Sequence, residues 1–138
     1  MDIFTLLFSF QGRINRAKYW LAVAIYIAAM VIVTAIGFAT LSWVFFALLV
    51  IVYIPMVFSG VAVGIKRLHD RNKSGWWLVL FYFAPAVLSG AANATEMAGG
   101  NLLLSGASIA ISIWALVELG FLRGTTGANR YGPDPLPV

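Results

Sequence analysis

YWLAVAIYIAAMVIVTAIGFATLSWVFFALLVIVYIPMVFSGVAVGI, Tyr19 to Ile65, runs for 47 residues without an Asp, Glu, Lys or Arg. One crossing of the hydrocarbon takes about 20 apolar residues, so this run is long enough for two. The break between them is expected at the small and polar stretch Gly37-Phe38-Ala39-Thr40-Leu41-Ser42. That predicts helices over about 15–39 and about 41–65. Downstream, Trp76 to Ala92 and Leu102 to Leu122 are apolar again, the second interrupted by Glu118. They predict two more helices, about 75–92 and about 102–122, and leave 123–138 as a tail.

Composition agrees. The 138 residues are 62% hydrophobic and 10% charged, with a mean hydropathy of +0.93, against roughly 45–50% apolar residues in a soluble domain. The length suits one membrane domain, 1–138, rather than two. In lipid every backbone N–H and C=O must be satisfied within the spanning structure, and the ~10-residue alternation of a membrane barrel is absent. The expected fold class is therefore all-α: a polytopic membrane protein of four transmembrane helices. Pro55 and Pro85 fall inside predicted helices, where proline kinks but is tolerated. The first run is not read as a cleaved signal, because signal h-regions stop after about 7–15 residues and this one continues into helix two. Ile3 to Phe10 is apolar but too short to span, and is expected to lie in the interface or to pack against the helices.

Charge sets the expected orientation. Arg13, Arg16 and Lys18 precede helix one; Lys66, Arg67, Arg71 and Lys73 lie between helices two and three; Arg123 and Arg130 follow helix four. None of the 9 falls in the two remaining connections. With four crossings the three basic segments share a side, which the positive-inside rule makes cytoplasmic, so both termini are expected there. The basic balance then means topology and attraction to anionic lipid headgroups in the bilayer, not nucleic acid. Tyr19, Trp20, Trp43, Trp76 and Trp77 stand near predicted helix ends, where amphipathic rings favour the headgroup level. Trp114 falls inside helix four and is read as a packing residue. The absence of Cys and a single His exclude disulfides and an ordinary zinc site within one chain, and no cofactor is expected.

Three segments carry a resemblance. Phe10-Gln11-Gly12-Arg13-Ile14-Asn15-Arg16-Ala17-Lys18-Tyr19-Trp20, Arg67-Leu68-His69-Asp70 followed by Ser74-Gly75-Trp76-Trp77, and Asn129-Arg130-Tyr131-Gly132-Pro133-Asp134-Pro135 occupy the start, middle and end of the chain. In these the chain resembles the Domain of Unknown Function 805 family of small bacterial inner-membrane proteins. The resemblance implies an inner-membrane location and carries no established activity.

The same segments hold the candidate site: Arg13, Arg16, Arg67, His69, Asp70, Ser74, Asn129, Arg130, Tyr131 and Asp134. Lys66 and Arg67 are expected just after helix two, at the negative end of its dipole, with Ser74 capping helix three and Asn15 capping helix one. Two helix N-termini ringed by Arg13, Arg16, Arg71 and Lys73 would suit a phosphate or carboxylate. Alternatively Arg13, Arg16 and Arg67 pair with Asp70 and Asp134, tying the segments together with Tyr131 packed over the mouth of the bundle. A hydrolytic reading of His69, Asp70 and Ser74 fails, because neighbours in one short loop do not place a base between nucleophile and orienting acid. Glu118, the acid inside an apolar run, is expected to reach the interface and pair with Arg123 or Lys66. Gly60 with Gly64, and Ser108 with Ser112, permit close helix approach, within one chain or in a homo-oligomer.

These readings point to a non-enzymatic inner-membrane bundle whose basic cytoplasmic face binds a partner protein or anionic headgroups. A small oligomeric transporter or channel is the alternative, with Glu118 its one intramembrane acid. An enzyme acting on lipid-linked phosphate ranks last for want of metal-binding carboxylates.

Overall fold

The computed structural model describes residues 1–40, 43–94 and 98–136. The order is α1 (Ile3–Phe8), α2 (Arg16–Thr40), α3 (Trp43–Asp70), α4 (Trp77–Ala94) and α5 (Ala98–Leu116), the last ending in a π-helical turn, Val117–Phe121. Four of these helices are long and apolar enough to cross a membrane: Arg16–Ala39, Trp43–Asp70, Trp77–Ala94 and Asn101–Phe121. Ile27, Val31, Ile51 and Phe83 are exposed on their outer faces, a surface that suits lipid and would aggregate in water.

Local signals explain the starts. Asp2 caps α1 by accepting the Thr5 N–H at 2.6 Å, and Asn15 caps α2 by accepting that of Lys18 at 3.0 Å. Ser74 accepts the Trp76 N–H at 3.4 Å, closing a tight turn before α4 proper begins at Trp77. The helix break expected at Gly37 to Ser42 is only half visible: α2 runs to Thr40, whereas Leu41 and Ser42 lie outside the described residues, as does Glu96.

The largest departure from the expected boundaries is in α3. It continues past Ile65 through Lys66, Arg67, His69 and Asp70, so the segment read as a loop is the last turn of a transmembrane helix. Charged side chains can stay at that depth only if each finds a partner, and each does.

The helices form two hairpins, α2 with α3 and α4 with α5. Among the described residues the hairpins meet at one end only, where α4 touches α3 and the π-helical turn packs on α2 and α3. The core lies at that end as well. Leu6, Ile14, Ala22 and Val63 form one buried cluster, and Leu68, Leu78, Phe81 and Leu119 the other. α1 lies along α3, with Phe8 and Phe10 against Phe58. Trp114 packs edge-on against Trp77 and Phe81, inside the α4–α5 hairpin.

Candidate functional site

The last carbonyls of any helix lack partners within it. In α5 the π-helical turn ends with the Leu122 N–H reaching back to Val117 O, and four carbonyls face the α2–α3 hairpin. Three side chains meet them, Arg67 taking two. Arg67 Nε reaches Leu119 O at 2.7 Å, Trp20 Nε1 reaches Gly120 O at 3.0 Å and Arg16 reaches Phe121 O at 3.1 Å. A second Arg67 nitrogen bonds Leu122 O. Cations at the negative end of a helix dipole are electrostatically favoured. This cap on α5 is therefore also what joins the two hairpins.

Asp70 organises the next layer. Its carboxylate accepts from Arg67 at 2.5 Å on one oxygen and from Arg13 at 3.2 and 3.1 Å on the other. All three side chains are at most 4% exposed. The remaining Arg13 donors go to the carbonyls of Gly127 at 2.7 Å, Gly132 at 3.1 Å and Thr125 at 2.6 Å. A guanidinium has five N–H donors in a fixed fork, and Arg13 spends them all within the protein. It has none left for a phosphate.

The tail is held by the same residues. Thr125 donates its N–H and its hydroxyl to the Asp70 carbonyl, at 2.8 and 2.9 Å, while its Oγ1 accepts from Asn129 at 2.8 Å. Asn129 also donates to the His69 carbonyl at 2.9 Å and closes a tight turn with Gly132. Tyr131 stacks on the His69 ring, 3.8 Å between centroids and 5° from parallel, under the Arg130 guanidinium at 4.7 Å. His69 Nδ1 lies 3.3 Å from the Gly12 carbonyl, which can only accept. Gly12 itself has φ +88°, a conformation L side chains rarely adopt.

A family model described as a protein of unknown function, DUF805, matches residues 7–133. The chain belongs to this family. Over 140 residues it is 33% identical to the uncharacterized protein YiiR of Escherichia coli K12, covering 100% of this chain and 93% of that one. It is 28% identical to the inner membrane proteins YhaI and YhaH of the same strain, over 91% of this chain and 85% and 86% of theirs. No solved structure matches. With its four apolar helices, this DUF805 member is a multi-pass protein of the bacterial inner membrane.

Within the DUF805 segments the structure divides the sequence-predicted residues. Arg13, Arg67, His69, Asp70, Asn129 and Tyr131 come together, with Arg16 at the edge. Asp134 does not join an arginine: it accepts the backbone N–H groups of Leu136 at 3.0 Å and Gly127 at 2.7 Å, and these bonds hold its carboxyl below the usual carboxylate range. Arg130 bonds the Asn72 carbonyl on the rim. Ser74 sits apart, in the α3–α4 turn.

Glu118 pairs differently from expectation. Its partners are Arg71 and Lys73, each 3.0 Å away, rather than Arg123 or Lys66. Leu122 is already extended, at ψ 142°, so the chain has left the helix before Arg123. Lys66 is occupied elsewhere. Fully buried, it donates to the carbonyls of Thr5 at 2.8 Å and Leu6 at 2.6 Å, near the C-terminal end of α1.

Lys66, Thr125 and Trp20 are the structural residues that sequence reasoning missed in this role. Lys66 carried a usable signal, because a lysine in an apolar helix must find acceptors. Thr125 carried none. Among the described residues no buried side-chain nitrogen or oxygen lacks a partner, and no group of three His, Asp or Glu could hold a metal.

Proposed function

We propose that this DUF805 member is a non-enzymatic inner-membrane bundle with both termini cytoplasmic, whose exposed basic rim holds anionic lipid headgroups. The observation that carries this reading is a division of labour among the cations. Arg13 and Arg67 are consumed internally, whereas Arg16, Arg123 and Arg130 are exposed and Lys18 half-buried around them. Each cation near an anionic leaflet gains about 1 kcal/mol from its surface potential.

The test is lipid retention. Replacing Lys18, Arg123 and Arg130 together by Gln should leave melting unchanged but abolish enrichment of phosphatidylglycerol over phosphatidylcholine in native mass spectra of the purified protein. Undiminished enrichment would overturn the reading. Orientation is tested separately, because the chain has no Cys. Thr126→Cys should react with an impermeant maleimide only from the cytoplasmic side, and Asn93→Cys only from the other.

Transport receives less support. Glu118 and Asp70 both sit at the charged end and both are paired with cations, and no acid lies deeper in a span among the described residues. Nothing in the His69 geometry favours catalysis: its ring is stacked on Tyr131 and its Nδ1 is engaged by Gly12.

A further inference from the structure

Where the tail crosses the ends of α2 and α3 it encloses a cavity of about 250 Å³. Its walls are Asn15 and Arg16 at the start of α2, Asp70 at the end of α3, and the tail at Arg123, Thr126 and Asp134. Arg16 opens one transmembrane span, and the Phe121 carbonyl that it bonds closes another. The cavity therefore lies at the level of the lipid headgroups.

The acids around it are engaged and the donors are not. Asp70 has its carboxylate oxygens on Arg13 and Arg67, and its carbonyl takes the N–H and the hydroxyl of Thr125. Asp134 accepts the Gly127 N–H on one oxygen and that of Leu136 on the other, and feels the charge of Arg123 without pairing with it. By contrast, the Arg123 guanidinium meets no acceptor among the described residues, and Arg16 uses one nitrogen, on Phe121. Asn15 caps α2 through its oxygen, which leaves its NH₂ group over, and the Thr126 hydroxyl has no partner among the described residues. A cavity lined in this way suits an anion and rejects a cation.

Charge narrows the choice. The guanidinium groups of Arg16 and Arg123, with those of Arg13 and Arg67 on Asp70, stand against two carboxylates, a surplus of two positive charges. We infer that this cavity binds a phosphate monoester, whose charge of about −1.5 to −2 at pH 7 matches the surplus and whose oxygens accept from α2 and the tail together. A carboxylate brings one charge and two oxygens in a plane. Smaller than the roughly 300–1,000 Å³ of pockets for drug-sized ligands, the cavity takes a phosphate and the few atoms beside it, on the headgroup of phosphatidic acid or on a soluble molecule. The inference rests on the rim reading above, from which it takes Arg16 and Arg123, and deepens it by naming the group held.

The experiment titrates the full chain in phosphatidylcholine nanodiscs, against empty nanodiscs, with dioctanoyl phosphatidic acid, dioctanoyl phosphatidylglycerol and inorganic phosphate. Phosphatidic acid should bind about fivefold more tightly than phosphatidylglycerol, the ratio that one further charge at a basic surface supplies. Arg123→Gln should weaken phosphate binding about tenfold and leave melting unchanged, because that guanidinium holds nothing else among the described residues. Thr126→Phe fills the cavity without changing a charge and should abolish binding. The probe that binds names the source: phosphatidic acid alone means a lipid headgroup, inorganic phosphate a soluble phosphate.

Binding of neither phosphate probe, phosphatidylglycerol bound as tightly as phosphatidic acid, or full affinity in both Arg123→Gln and Thr126→Phe would each overturn the inference. Thr126→Phe also separates the two proposals. Loss of phosphate binding in it, with phosphatidylglycerol enrichment kept, upholds both. Enrichment that survives the Lys18, Arg123 and Arg130 replacement, while the parent chain binds phosphate, overturns the rim reading alone. Enrichment that is lost in that replacement, in a parent chain that binds neither phosphate probe, overturns the cavity alone.

Discussion

The two ends of this protein are built on opposite principles. At the charged end, Arg13, Arg67 and Asp70 are buried and their partners come from residues 52 to 119 positions away as well as from the neighbouring turn. Toward the other end, α2–α3 and α4–α5 are separate hairpins with apolar outer faces, and side-chain hydrogen bonds among the described residues there fall within a hairpin. Ser108 donates to the Pro85 carbonyl at 2.9 Å and bonds Ser89 at 2.8 Å, within one hairpin, and Tyr26 bonds Ser59 at 2.7 Å within the other. The difference follows from the solvent. Lipid is as apolar as the side chains it would replace, so apolar contact alone gives the hairpins little reason to close. A buried ionic network has few acceptable geometries, and that selects one arrangement even where its net contribution to stability is small.

The sharpest way to break this contrast is Asp70→Ala. It leaves the Arg13 and Arg67 guanidinium groups buried without a counter-charge, and removing one partner of such a set costs about 3–5 kcal/mol. That is a large part of the ~5–15 kcal/mol of an ordinary fold. Folded yield and melting temperature in mild detergent should both collapse. A variant that melts like the parent would mean that the arginines are neutralised by backbone carbonyls alone.

Gly124→Ala probes the same end by shape. A Cβ at Gly124 would overlap the Asp70 carboxylate, forcing the tail off the end of α3. Overpacking of this kind costs about 1–3 kcal/mol. Melting measurements should show a loss between that of Asp70→Ala and zero, and protease should cut the 124–136 segment sooner than in the parent.

A smaller effect is expected on acidification. Asp134 is held below its ordinary value of 3.8 by the Leu136 and Gly127 N–H groups. Its folded pKa is the lower one, so its contribution is fully present above pH 3.8 and is lost as pH falls further, through the depressed folded value. Hydrogen exchange at the Gly127 amide should therefore rise below that pH, ahead of exchange in α3. Asp134→Asn should flatten the change. An unaltered pH response in Asp134→Asn would assign it to another group.

The spans were legible in the sequence and the network largely was not. Uncharged runs give the four crossings because the hydrocarbon sets a length, and Asn15 announces its cap because capping is local. The end of α3 was misplaced at Ile65 because Lys66 and Arg67 look like the start of a loop when their acceptors, at Thr5, Leu6, Leu119 and Leu122, cannot be seen. Glu118 was assigned to its neighbours in sequence for the same reason. The three motif segments did mark the residues that converge. Their chemistry suggested an anion site, whereas in the folded chain Arg13 has all its donors satisfied within the protein.

The smallest effect completes the contrast. Gly90 lies in α4 away from the charged end, and a Cβ there would meet nothing within 4 Å. In a water-soluble helix Gly→Ala gains roughly 0.5–1 kcal/mol, because the unfolded chain loses backbone freedom. In a membrane the reference state is already helical, so that gain cancels. The added methyl then touches only lipid, and Gly90→Ala should change stability by less than about 0.5 kcal/mol. Melting in detergent and in nanodiscs would read it. A cost as large as that of Gly124→Ala would mean that a surface left open here is covered in the membrane by another protein chain, and that the far half of the molecule is packed after all.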